Sequence, residues 1–255
     1  ALAYAFSGRD PISLTMKKIY PAAIVGTSTI SVYDWDENLA IAHRTDPDAA
    51  QTLAENTLLQ NAQKQVLARK LKLPVSISGM AGELSFDQSE FQSDYQTLLD
   101  EYFFGQENLF AKYVAVPQYY DSLLRVAYNS DTRANAKAYA KAQGLLARIN
   151  AGQKFEDVAA ESDDAITAPL GGDLGVVSKD QILPELMAAV ETAPVGKVDP
   201  QIVVSRYGYH ILYPVEAAEK NGQKVWHIKQ ILVQTSGYEN WLNSQLAAVS
   251  VWRIK

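Results

Sequence analysis

At Gly171-Gly172 this chain changes texture, and that change limits the folds open to it. Upstream, apolar residues recur at helical spacing over long stretches. Downstream, Pro184, Pro194-Val195-Gly196 and Pro200 cut the chain into short segments, and β-rich runs follow. A helical first half followed by a mixed second half reads as α+β.

The helical half has recognisable stops. Residues 7 to 22 carry Gly8, Pro11 and Pro21 and read as an extended lead-in. Ala22 to Val32 alternates around Gly26-Thr27-Ser28, a small hairpin that enters a helix near Asp34. Residues 48 to 73 keep a helical period until Pro74. Phe91, Tyr95, Leu98, Leu99, Tyr102 and Phe103 share one helical face, which predicts a helix over 88–104 with Asp87 and Glu90 as a capping pair and Gly105 as its stop. A further helix from about Glu107 is interrupted or kinked at Pro117 and continues through Leu124. Residues 132 to 150 repeat the period and end at Gly152. The strands expected next are Gln201–Ser205, Tyr209–Val215 and Lys224–Gln234, the last two joined at Asn221-Gly222. A short helix from Tyr238 to Ala248 and a strand from Val249 to Ile254 complete the order. The aromatic residues Tyr95, Tyr102, Phe103, Phe110, Tyr113, Tyr119 and Tyr120 read as packing of a helical core, with an apolar cradle for unfolded segments as the other reading.

Composition removes several function classes. The formal charge is −6, from 29 acidic and 23 basic side chains, which argues against nucleic acid as a partner. The 255 residues include no cysteine, so disulfides, thiolate metal sites and cysteine nucleophiles are out. His43, His210 and His227 are the three histidines, too scattered for a histidine-rich metal site, and no metal or cofactor is expected. No apolar run reaches the ~18 residues that span a bilayer. The apolar start Ala1 to Phe6 fits a mature N-terminus after signal cleavage, the stub of a removed membrane anchor upstream, or an artificial chain start.

Four pieces of the second half fall in order. An amphipathic helix leads into Asn150-Ala151-Gly152-Gln153-Lys154-Phe155, then come Glu161-Ser162-Asp163-Asp164, Gly171-Gly172-Asp173-Leu174-Gly175, and Ser205-Arg206-Tyr207-Gly208-Tyr209-His210-Ile211-Leu212. The set resembles the parvulin-type (PpiC, rotamase) peptidyl-prolyl isomerases, whose pattern is G-x-x-F, S-x-C/D, GGDLG and a last strand T-x-F-G-Y-H-I-I. The flanks, Tyr20-Pro21-Ala22-Ala23-Ile24-Val25-Gly26 with Thr29-Ile30-Ser31, resemble the entry hairpin of SurA-like chaperone domains.

That resemblance implies an α+β architecture: a helical SurA-like chaperone domain, a parvulin domain with a small antiparallel sheet and flanking helices, and a C-terminal helix and strand returning to the first domain. The boundaries expected are 1–20 for the lead-in, 21–130, 131–235 and 236–255. The resemblance also implies a site. His210 takes the last-strand histidine, Ser205 the nearby hydroxyl and Asp164 the cysteine-or-aspartate position. Ile182 and Leu186 take apolar places in the proline slot, with Tyr207 as a further substrate contact. A second phenylalanine position falls on or near Glu191, a poor wall for such a slot.

The family opens with a strand reading roughly R-H-I-L-V. Leu124-Arg125-Val126-Ala127-Tyr128 could fill it, but Lys229-Gln230-Ile231-Leu232-Val233 matches better, as in a permuted sheet. Gln230 then replaces the family's other histidine, and His227, an odd number of residues away, faces the opposite side. The function implied is a foldase or chaperone outside the cytoplasm, in periplasm or at the cell surface. It would bind unfolded or proline-containing polypeptide, with isomerisation of X–Pro bonds as its chemistry. The alternative is a non-catalytic subunit of a cell-envelope assembly that keeps the scaffold for docking.

Overall fold

The computed structural model describes residues 11–91, 94–220 and 222–254. The chain forms two compact units, Ala1–Asp121 with Glu239–Lys255, and Ser122–Tyr238. Sequence boundaries at 130/131 and 235/236 stand against 121/122 and 238/239 here. The first unit boundary falls inside one continuous helix, Val116–Ser130, where composition gives no signal.

In the first unit, helix α1 (Pro11–Ile19) replaces the expected extended lead-in; the rest of that segment, residues 1–10, lies outside the described residues. Pro11 misled the reading because proline is well suited to the first position of a helix, where its missing N–H costs nothing. Strands β1 (Pro21–Val25) and β2 (Ser28–Ser31) form the expected hairpin. Ser31 then caps α2 (Val32–Thr45), its Oγ accepting the Asp34 N–H at 3.1 Å while Asp34 accepts the Ser31 N–H. Helix α3 (Ala50–Lys70) follows.

The single helix expected over 88–104 is two, α4 (Ile77–Phe91) and α5 (Tyr95–Tyr102). Asp87 and Glu90 fall inside α4, so they start no helix. The apolar period runs through both helices, which hid the second one. Phe104 and Gly105 both take positive φ at the end of α5, and the Gly105 N–H returns to the Leu99 carbonyl at 2.9 Å.

Pro117 has the effect expected, by a particular route. Helix α6 (Glu107–Phe110) widens into a π turn over Ala111–Ala115, then α7 (Val116–Ser130) resumes. The Val116 N–H reaches back five residues to the Ala111 carbonyl. The wider turn lets the helix pass a proline that lacks an N–H and would otherwise cost about 3 kcal/mol.

The core of this unit gathers Val25, Trp35, Leu58, Leu59, Phe103 and Phe110, with Phe103 and Tyr95 each meeting the Phe110 ring edge-on. Of the seven aromatic residues, Phe103, Phe110, Tyr113, Tyr119 and Tyr120 are buried and Tyr95 and Tyr102 half-buried, so most of the run packs in the core. Helix α11 (Tyr238–Ala247) leads to β7 (Val251–Arg253), which pairs antiparallel with β1 to give the order β2-β1-β7.

In the second unit, α8 (Ala136–Asn150) and α9 (Phe155–Ala159) cover one face of a sheet. The sheet holds β3 (Asp173–Ser178), β4 (Val203–Ser205), β5 (Gly208–Lys220) and β6 (Gln223–Gln234), all paired antiparallel in the order β3-β6-β5-β4. Of the expected hairpin turn, Gly222 has φ 77° and Asn221 lies outside the described residues. Tyr209, Ile211, Ile231 and Val233 point to the helical face and pack on Leu145, Leu146, Phe155 and Val158. Strand alternation sends His210, Leu212, Gln230 and Leu232 to the other face. Helix α10 (Pro184–Thr192) packs against β4 and β5.

The candidate active site

The strand carrying Gln230 is an inner strand of this sheet, between β3, which follows the paired glycines, and β5 with His210. The competing segment, Leu124 to Tyr128, is helical. Register places Gln230 opposite Leu212 and His210 opposite Leu232, so the two polar side chains lie on one face, one diagonal apart.

They are bonded. Gln230 Nε2 donates to Asp164 Oδ2 at 3.0 Å, Gln230 Oε1 lies 3.0 Å from His210 Nδ1, and His210 Nε2 lies 2.7 Å from Ser205 Oγ. Ser205 Oγ also accepts the Tyr207 N–H at 3.0 Å. The direction of every bond follows from the ends. A carboxylate accepts only, so the Gln230 amide must turn its NH2 to Asp164 and its oxygen to the imidazole. His210 therefore carries its proton on Nδ1 and accepts at Nε2 from the Ser205 hydroxyl. The result is a one-way line of donors running from the Tyr207 N–H to Asp164.

Electrostatics agree with this assignment. His210 is 2% exposed, and burial pushes its pKa down to about 4, against the hydrogen bond to Gln230 and the attraction of Asp164. The imidazole is neutral at pH 7. Burial pushes Asp164 up, but hydrogen bonds from Thr167 Oγ, Gln230 and the N–H groups of Ile166 and Thr167 outweigh it and hold the carboxyl below its usual range. An anion thus stands at the partly exposed end of the line, and neutral groups fill its buried part.

Backbone contacts fix the strands that hold these groups. Buried Asn129 donates to the Ser205 carbonyl at 2.7 Å and accepts from Thr235 Oγ at 2.6 Å. Gly172 has φ 81°, and its carbonyl accepts the Gln230 N–H at 2.8 Å. A Cβ on Gly172 would overlap the Gln230 carbonyl oxygen, so the second glycine of the pair lets the loop approach the strand.

The remaining predicted residues are placed differently. Ile182 and Leu186 are buried, and Tyr207 is 50% exposed in the turn between β4 and β5. Glu191 is exposed, so it walls no apolar slot and needs no buried partner. His227 faces away from Gln230, as its odd spacing requires, and pairs with Asp173 at 2.8 Å. A groove of about 490 Å³ between α8 and Pro200–Ile202 includes none of the four bonded residues. Among the described residues no cluster of three His, Asp or Glu side chains could hold a metal. Sequence reading missed Asn129 and Thr167, neither of which lies in a motif or a periodic apolar face.

The family model of the PPIC-type PPIASE domain matches residues 121–221. The match ends before β6, so Gln230 lies outside it. Chaperone SurA of Nitrosospira multiformis is 26% identical over 119 residues, covering 44% of this chain and 27% of that protein. Chaperone SurA of Bordetella avium is 37% identical over 68 residues, covering 27% of this chain and 13% of that one. This chain therefore spans about a quarter or less of the length of these curated relatives. The solved structure of the peptidylprolyl isomerase PrsA from Bacillus anthracis is 16% identical, with 74% of this chain and 85% of that one covered at a TM-score of 0.24, too loose an overlay to carry weight. An in-order motif set and a matching family model make residues 121–221 similar to the PPIC-type PPIase domain, and stretches of the chain are similar to SurA chaperones.

Proposed function

We propose that this chain is a foldase acting outside the cytoplasm, in periplasm or at the cell surface, that binds unfolded, proline-containing polypeptide and lowers the barrier to X–Pro rotation. The observation that carries this reading is the hydrogen-bonded line from Ser205 through His210 and Gln230 to Asp164. Amide rotation must break conjugation, a barrier of ~18–20 kcal/mol, and needs no covalent step. The conjugated amide places partial negative charge on its oxygen. A fixed anion beside that oxygen disfavours the planar form relative to the twisted one, which lowers the barrier. Asp164 is the group suited to that task. His210, Ser205 and Gln230 are positioning residues, since they hold Asp164 from behind without reaching a substrate. Ile182 and Leu186 would form the floor of the proline slot, with Tyr207 at its rim.

A protease-coupled proline-peptide assay tests this. The wild type should exceed the uncatalysed rate, and Asp164→Ala should bring it down. A wild-type rate equal to the uncatalysed one would remove the enzymatic reading. Failure to suppress aggregation of an unfolded client would weigh against chaperoning. The second reading, a docking subunit of an envelope assembly, draws on Gln230 standing where the family keeps a histidine. It predicts peptide binding with no rate enhancement.

A further inference from the structure

Between Asp164 and Gly172 the chain makes an exposed loop with a buried centre. Ile166 is 81% and Leu170 64% exposed, whereas Thr167 between them is 6% exposed. Burial of a hydroxyl in a surface loop is costly unless it is bonded, and each polar atom of Thr167 is bonded within the loop. Its Oγ donates to Asp164 Oδ2 at 2.6 Å, and its N–H to Asp164 Oδ1 at 3.4 Å. Its carbonyl accepts the Gly172 N–H at 2.8 Å.

Both ends of the loop are tied to β6. The Asp163 N–H donates to the Leu232 carbonyl at 2.7 Å, and the Gln230 N–H to the Gly172 carbonyl at 2.8 Å. Ser162 Oγ accepts from the N–H groups of Leu232 and Asp164. The backbone of Asp164 is therefore fixed, but its carboxylate could still turn about its last torsion, where barriers are broad and low. Two side-chain donors meet at Oδ2, Gln230 from the strand and Thr167 from the loop. The Ile166 and Thr167 N–H groups anchor Oδ1, so the two side-chain donors decide where Oδ2 points, and removing one loosens that end of the carboxylate.

We propose that Thr167 is a positioning residue whose hydroxyl, together with Gln230, sets the orientation of the Asp164 carboxylate. Its catalytic consequence rests on the isomerase reading above; the geometric role does not. The same hydroxyl also ranks first among the hydrogen bonds that lower the Asp164 carboxyl. Thr167→Val keeps the shape and the backbone bonds and removes only the side-chain donor. Thr167→Ser keeps the donor.

The test follows the Asp164 side-chain carboxyl by carbon NMR titration in wild type, Thr167→Val and Thr167→Ser, alongside the proline-peptide assay. In Thr167→Val the Asp164 midpoint should rise by about one pH unit, as loss of a hydrogen bond to the charged form requires. The kcat/KM should fall about tenfold with KM little changed, as expected of a group acting at the reacting bond. Thr167→Ser should restore both. An Asp164 titration unchanged in Thr167→Val overturns the positioning role, whatever the activity. A shifted titration in Thr167→Val, together with a wild type that never exceeds the uncatalysed rate, keeps the role and removes the isomerase reading. Thr167→Ala serves the same purpose if the valine variant does not fold.

Discussion

The two faces of the β5–β6 ribbon each hold a histidine linked to an aspartate, and they make opposite use of the pair. On the face away from α8 and α9, His210 is sealed and reaches Asp164 only through Gln230. On the other face, half-buried His227 touches Asp173 directly, next to the Lys229–Glu156 ion pair. A direct bond looks stronger on paper. Yet the half-buried pair shares its interaction with water, so its net worth is small. The sealed line has no water to fall back on, so every one of its bonds is costly to lose. Burial, rather than the presence of an acid partner, decides which histidine the fold depends on.

The sharpest way to break this contrast is to remove each ring. His210→Ala orphans Gln230 Oε1 and Ser205 Oγ and leaves a cavity, and should cost about 3–5 kcal/mol in urea unfolding of the second unit. Next in size is pH. Because the folded-state pKa of His210 lies near 4, below its ordinary value of 6.5, the unfolded chain binds its proton first as pH falls. Its contribution is complete above pH ~6.5 and fades towards pH ~4, a loss on the order of 3 kcal/mol. Unfolding midpoints across that range should drop in His227→Ala as in the wild type, and drop less in His210→Gln; equal slopes in both variants would refute the assignment.

Gly172→Ala should cost roughly 1–3 kcal/mol, because a Cβ at φ 81° is strained and meets the Gln230 carbonyl. Restoration by a smaller neighbour is impossible there, since the obstacle is backbone. The smallest effect belongs to His227→Ala, under about 1 kcal/mol. A larger loss would mean that the half-buried pair also anchors the sheet.

Legibility in the sequence followed the same division. Asp164, His210 and Ser205 could be read because glycines and a period-two strand surround them, and Gln230 because its strand matched a family segment out of order. The helical face of the sheet was readable from the apolar period of Ala138, Ala142, Leu145 and Leu146. Thr167 was not, because Ala165-Ile166-Thr167-Ala168 has neither period nor motif; its burial arises from the loop folding back on itself. Asn129 was hidden for a related reason, as its bonds run to Ser205 and Thr235, residues more than seventy positions away. The separate helix from Tyr95 escaped because the apolar period continues on both sides of residues 92–93.

Strand β6 is an inner strand of its sheet and also the last of those four strands in chain order. On a ribosome, Asp173–Ser178 and Gly208–Lys220 must therefore emerge and wait, each with an unpaired edge, until Gln223–Gln234 arrives to zip between them. Gln230 travels on that strand, so the nascent domain holds His210 without its bonded neighbour until the final pairing. Pro21–Val25 waits longer for Val251–Arg253. A protein that assembles this late spends its own infancy as the kind of open chain it is proposed to attend.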